Sequence, residues 1–199
     1  MLYEEKIIET IPVGPLGLIP LKSCTELGDK VNAYLVDWRR ERESEHKSTI
    51  AFSGYQRESY IIGASTPRFG TGEAKGTLSE SVRGDDLYIM VDVCNYSLTY
   101  SLCGMTNHMS PDDHFQDLKR IIAAAAGKAR RINVIMPFLY ESRQHKRSSR
   151  ESLDCALALQ ELTNMGVENI ITFDAHDPRV QNAIPLKGFE TVQPIYQFI

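Results

Sequence analysis

A mostly parallel α/β sheet flanked by helices is the fold this sequence predicts, on three observations. Short apolar runs rich in β-branched residues recur at Leu87–Val93, Ile132–Met136 and Val167–Phe173. Between them lie two stretches of helical period, Ser110–Ala126 and Arg150–Met165, stopped by Gly127 and Gly166. Parallel neighbours need such long crossovers, expected right-handed, and the helices cover the faces of the sheet.

Taken in order, residues 1–21 carry apolar stretches broken by Pro12, Gly14, Pro15, Gly17 and Pro20, the pattern of an extended lead-in or short edge strands. Ser23 and Glu26 have capping-box spacing, and Leu27, Val31, Tyr34, Leu35 and Trp38 then mark one helical face, with Trp38 read as core. The charged run Arg39–Lys47 reads as an exposed helix end or loop, and a weak strand pattern follows over 49–65. Arg83 and Gly84 make a turn into the strand Leu87–Val93, with Asp85 and Asp86 at its mouth.

Residues 95–109 form a polar excursion ending near His108. Ser110 caps the next helix, with Pro111 in the first helical position and Asp113 at the capping-box position. Phe115, Leu118, Ile121, Ile122 and Ala125 face the sheet. Pro137 ends the following strand by removing a backbone donor. In the later helix Leu153, Leu157 and Leu162 point inward, and Gly188–Phe198 adds a further strand interrupted by Pro194.

The chain has 199 residues, 42% of them hydrophobic, and a formal net charge of -4. That suffices for one substantial core or two modest ones. The slightly acidic balance gives nucleic acid no global attraction, so no nucleic-acid partner is expected. Cys24, Cys94, Cys103 and Cys155 make no CxxC pair, which fits a reduced, cytoplasmic protein. No apolar run approaches the roughly 18 residues that would span a membrane, and none is expected to do so.

Chemistry is expected at the strand ends. Arg143, Gln144, His145, Lys146, Arg147 and Arg150 follow the strand that stops at Pro137, with no acidic residue from Arg143 to Arg147. Open α/β sheets bind ligands at the carboxyl ends of their strands, which favours a small-phosphate site over a merely solvated basic loop. After the last long strand come Asp174 and His176, two apart on an expected extended segment. A carboxylate and an imidazole there can hold a divalent metal or carry a proton, or form a local pair that shapes the turn before Pro178. No third ligand stands at a short zinc-type spacing. Magnesium held mainly by phosphate and water fits better.

Four segments together resemble the N-terminal half of the ribose-phosphate diphosphokinase (phosphoribosyl pyrophosphate synthetase) family: RFGTGE at Arg68–Glu73, ESVRGDDLYIM at Glu80–Met90, MPFLYESRQHKR at Met136–Arg147 and DAHDPRVQ at Asp174–Gln181. The resemblance implies a single α/β domain of phosphoribosyltransferase type over residues 1–199, the family's second domain being absent from this chain. It implies ATP as substrate with Mg2+: Arg143 and Gln144 grip ATP, and Phe69 and Glu73 reach an adenine, in a neighbouring subunit if the family's oligomers are kept. His176 takes the metal-associated role, with Asp174 beside it. The family reaction moves the β,γ-diphosphoryl group of ATP to the 1-hydroxyl of ribose 5-phosphate.

The sequence also departs from the family pattern. Thr71 stands where the family loop has aspartate, Glu141 where tyrosine is usual and His145 where an aspartate follows Arg-Gln. Residues 39–65 and 95–109 are longer than the usual connections, and no phosphoribose loop ending in Gly-Gly-Thr appears. Two readings follow: the ATP-binding part of a diphosphokinase, inactive as these 199 residues alone, or a noncatalytic regulatory or interaction homologue.

Overall fold

The structure is a computed structural model that describes residues 12–44 and 56–195. In chain order its elements are β1 (Leu16–Pro20), α1 (Thr25–Ser44), β2 (Ala64–Ser65), β3 (Thr77–Leu78), β4 (Asp86–Met90), β5 (Thr99–Leu102), β6 (Met105–His108), α2 (Pro111–Ala125), β7 (Arg131–Ile135), α3 (Asp154–Asn164), β8 (Val167–Phe173) and β9 (Gly188–Val192). Five of the strands form one parallel sheet in the order β1-β4-β7-β8-β9. The expected fold class is the observed one. Among the described residues no helix is long and apolar enough to cross a membrane.

Strand alternation sends one set of side chains to the main core. Ile19, Leu87, Ile89, Ile132, Val134 and Ile170 are buried there against Leu118, Ile121 and Ile122 of α2 and Leu159 and Leu162 of α3. The opposite set near the β1 edge packs more thinly: Leu18 meets Val36 of α1 and Tyr60, with Leu16, Val31, Leu35 and Tyr88 around them. Ile61 bridges Leu18 on the outer side of β1, so that edge is partly covered.

The α2 start follows its sequence signature. The Ser110 hydroxyl accepts from the Asp113 N–H at 3.2 Å, and the Asp113 carboxylate accepts from the Ser110 N–H at 2.9 Å. Two of the helix's orphan donors are thereby satisfied. Ser110→Ala should lower stability by about 1 kcal/mol, checked by the urea midpoint. Gly127 and Gly166 end their helices at φ of 73° and 99°, where a side chain would be strained.

Several sequence expectations are corrected. Ser23 does not cap α1: residues Lys22–Cys24 form a tight 3-10 turn, and the buried Ser23 hydroxyl accepts from the Asp92 N–H at 3.1 Å. Trp38 is 44% exposed and Tyr34 more so, because α1 turns Gly28, Val31, Leu35 and Val36 inward. The Trp38 ring instead lies under the Arg42 guanidinium, 5.1 Å away. In α3, which begins at Asp154 rather than Arg150, Leu157 is exposed; Cys155, Ala158, Leu159 and Leu162 make the inward face. The excursion 95–109 contains the β5–β6 hairpin, turning at Cys103-Gly104 with both φ positive. Residues 1–11 of the lead-in, 45–55 of the charged and weak-strand stretches and 196–199 of the last strand pattern lie outside the described residues.

Candidate functional site

All five parallel strands deliver their carboxyl ends to one edge, and two loops meet there. The loop after β7 begins at Pro137, whose carbonyl accepts from the Phe173 N–H at 3.2 Å. The loop after β8 is fastened to the sheet by Asp174 N–H to the Val192 carbonyl at 3.0 Å and Ala175 N–H to the Thr191 hydroxyl at 2.9 Å. Ser142, buried between them, accepts from the His176 N–H at 3.3 Å and so ties one loop to the other. Tyr140 roots the first loop on α2: its ring stacks on Phe115 at 4.2 Å and its hydroxyl donates to Asp112 at 2.7 Å. Burial and the Asp112 carboxylate push its ionisation well above the usual tyrosine range.

Between the loops is a cleft of about 290 Å³ in which Arg143, Asp174 and His176 stand with Phe138, Phe173 and Ser142. A second cleft of about 350 Å³ shares Phe138, Ser142 and Arg143 and is completed by Val93, Cys94, Pro111, Tyr140 and Glu141. Arg143 therefore lines both. It makes no hydrogen bond or ion pair among the described residues, and its donor fork is available to a ligand. The Glu141 carboxyl is pushed up by burial, then by Asp154 and Asp112. Glu141 and Asp174, one on each loop, hold positive φ values of 54° and 47°. Such backbone strain gathers where a loop's shape serves a ligand.

Asp174 is thus in a left-handed turn rather than on the extended segment the sequence suggested, because the chain bends as it leaves β8 to reach the Val192 carbonyl. Its side chain still reaches the cleft with that of His176. Gln144 does not line either cleft; its amide donates to the Ser152 carbonyl at 2.6 Å and closes the loop on itself. Phe69 and Glu73 also lie outside both clefts. They sit in a tight turn closed by Phe69 N–H to the Glu73 carbonyl at 2.7 Å, with Phe69 half exposed. That turn is pinned to α2 by Arg68, whose guanidinium lies 3.2 Å from Asp117 and 4.8 Å from the Tyr100 ring centre.

Sequence reasoning missed Phe138, Ser142, Tyr140 and Cys94. Phe138 was signalled by an aromatic just past a strand-ending proline; nothing in the sequence marked Ser142 as the link between loops. Among the described residues no three His, Cys, Asp or Glu side chains stand ready to hold a metal ion. Behind His176 lies His145, its ring centre 5.1 Å away and its Nε2 3.4 Å from Asp177. Asp177 is held well below the usual carboxylate range by hydrogen bonds from the Arg179 side chain and backbone.

A family model described as the N-terminal domain of ribose phosphate pyrophosphokinase matches residues 16–166. Among curated proteins, ribose-phosphate pyrophosphokinase B of Dictyostelium discoideum is 29% identical over 133 residues, 65% of this chain and 36% of that protein. Ribose-phosphate pyrophosphokinase of Bacillus caldolyticus is 29% identical over 119 residues, 59% of this chain and 33% of that protein. The match therefore spans only about a third of either relative's length. The crystal structure of phosphoribosylpyrophosphate synthetase from Mycobacterium smegmatis superposes with a TM-score of 0.68 at 22% identity, covering 92% of this chain and 50% of that one. At that identity the likeness speaks for the fold.

Proposed function

The chain belongs to the family of N-terminal domains of ribose phosphate pyrophosphokinase, and from that premise we propose that it is the ATP-binding part of an enzyme that transfers diphosphate from ATP to ribose 5-phosphate. The observation that carries this reading is the cleft at the carboxyl edge of the sheet, where Arg143, Asp174 and His176 converge. Arg143 would grip phosphate oxygens through its planar fork. His176 would stand at the magnesium, with Asp174 beside it. This donor set fits the ion only as a partial shell, which is what magnesium takes when phosphate and water supply its other oxygens. The bound ion would neutralise phosphate charge; the chain's own part is to hold the phosphates against Arg143 and keep the two loops locked through Ser142.

The domain as proposed is single over residues 1–199, and ribose 5-phosphate would be bound outside it, by a second domain of the family's kind where one is present. Phe69 and Glu73 are not among the residues lining the Arg143 cleft, so an adenine contact from them would be made across a homo-oligomer. The second reading, a noncatalytic homologue, draws its support from Gln144, whose amide is engaged by Ser152 rather than offered to a ligand.

Calorimetric titration of ATP with magnesium tests the first reading. Arg143→Ala should weaken binding by about 1.5–3 kcal/mol, the scale of hydrogen bonds to charged groups. Thermal stability should hardly change, since the side chain is exposed and unpaired. Unchanged affinity in a folded variant would reduce the basic loop to a solvated surface.

A further inference from the structure

Neither the β5–β6 hairpin nor the turn at residues 68–74 lines the carboxyl-edge clefts, yet the two are joined to each other. Along β5 the side chains alternate: Thr99 and Ser101 are exposed, while Tyr100 and Leu102 are half-buried on the other face. That inner face meets the turn. The Arg68 guanidinium lies 4.8 Å from the Tyr100 ring centre and 3.2 Å from Asp117 of α2, and it donates to the Gly72 carbonyl at 3.5 Å. One cation, with only 12% of its side chain exposed, thus joins hairpin, helix and turn. Leu102 adds a fit of shape, since a side chain on Gly72 would meet one of its methyl groups at 3.0 Å. At the tip, the Cys103 N–H donates to the Gly70 carbonyl at 3.4 Å.

A turn with glycines at 70 and 72 does not keep one shape unaided, because glycine samples more backbone conformations than any other residue. Its own restraints are local: Phe69 N–H to the Glu73 carbonyl at 2.7 Å and Gly72 N–H to the Phe69 carbonyl at 2.9 Å. The hairpin, by contrast, hangs from the frame of the domain. The Asn95 amide donates to the Ser23 carbonyl at 3.0 Å, and the Asn95 carbonyl accepts from His114 Nε2 of α2 at 2.8 Å. Met109 is buried where the chain leaves β6 for α2. Support therefore runs from the hairpin to the turn.

We infer that the β5–β6 hairpin is a clamp that fixes the Phe69–Glu73 turn in its ligand-binding shape, with Tyr100 and Leu102 as positioning residues. The inference rests on the proposed role of Phe69 and Glu73 toward adenine, and adds to that role a segment outside the turn itself. Thr71 and the length of the 95–109 connection are both departures from the family pattern, and they meet here: Thr71 lies between the two glycines that the hairpin touches. The clamp acts on the base end of a nucleotide and not on its phosphates, because neither element lines the cleft that holds Arg143.

Amide exchange followed by NMR on the purified 199-residue chain reads the clamp without any ligand. In Tyr100→Ala and in Leu102→Ala the Phe69 and Gly72 amides should exchange about fivefold faster, while those of Ile121 and Ile122 in α2 keep their rates. Tyr100→Phe, which leaves a ring beside the guanidinium, should restore the wild-type behaviour. Turn amides unmoved by both alanine variants, or α2 amides accelerated equally, overturn the clamp. Calorimetry with magnesium then separates base from phosphates: Tyr100→Ala should weaken ATP binding about fivefold and leave inorganic tripolyphosphate binding unchanged. Equal losses for the two ligands, or no loss for ATP, overturn the positioning role. Wild-type chain that binds ATP no more tightly than tripolyphosphate would remove the adenine role of Phe69 and Glu73 itself, and the clamp then stands or falls on the exchange rates alone.

Discussion

Mixed with ATP, magnesium and ribose 5-phosphate, the purified 199-residue chain is expected to form no phosphoribosyl pyrophosphate at an enzyme-like rate. Diphosphoryl transfer is catalysed by positioning and charge stabilisation rather than by covalent help from the protein. Holding both reactants in line is worth about 7–11 kcal/mol, so a domain that aligns only one forfeits most of its acceleration. The carboxyl-edge clefts offer a single arginine, Arg143, and two phosphate-bearing substrates would have to share it. Release of AMP, followed by a coupled assay with ribose 5-phosphate present and absent, measures the outcome. Turnover near 1 s⁻¹ or faster, an ordinary enzyme rate, would show that the chain carries a complete active site and would sink the expectation.

The parts of this molecule that could be read from sequence are those governed by local rules. The three central strands announced themselves because parallel strands covered on both faces are continuous apolar runs. The capping box at Ser110 and the glycine stops at Gly127 and Gly166 are chemistry written within four residues. Helix α1 was misjudged because its period fits more than one face, and only the thin packing at the β1 edge selects Val31, Leu35 and Val36 over Tyr34 and Trp38. Arg143, Asp174 and His176 were found because they follow strand ends. What sequence could not give was the geometry of the loops: Ser142 bridging to His176 and the left-handed turn at Asp174 depend on contacts between segments far apart in the chain, and Gln144 folds back on Ser152 inside its own irregular loop. His145 shows the same limit. Its place in a basic run suggested phosphate, yet its partners are Asp177 and His176.

Asp86→Ala should be the most damaging single substitution for stability outside the apolar core, at about 3 kcal/mol, the lower end of what breaking a buried pair costs. Asp86 is buried at the amino end of β4 and accepts from Arg131 through Nε at 2.7 Å and Nη2 at 2.5 Å, and from Asn133 at 2.9 Å. Asn133, itself buried, accepts in turn from Asn169 at 2.6 Å, so one carboxylate organises polar side chains across three adjacent strands. Truncation leaves a guanidinium and an amide facing a low-dielectric layer. Arg131 keeps 30% of its side-chain surface exposed and can regain water, which is why the lower end applies. An exposed pair such as Lys30–Glu26 offers the contrast, since solvent screens both of its charges in the folded chain. Urea unfolding decides between these scales, with the midpoint falling while the slope holds. A loss below about 1 kcal/mol would mean that the network is no more than a surface-type pair. Because the network lies at the opposite ends of β4, β7 and β8 from the Arg143 cleft, the folded fraction of Asp86→Ala should bind ATP as the parent chain does. A matching fall in affinity would instead show that strand register at the amino end sets the loop geometry at the carboxyl end.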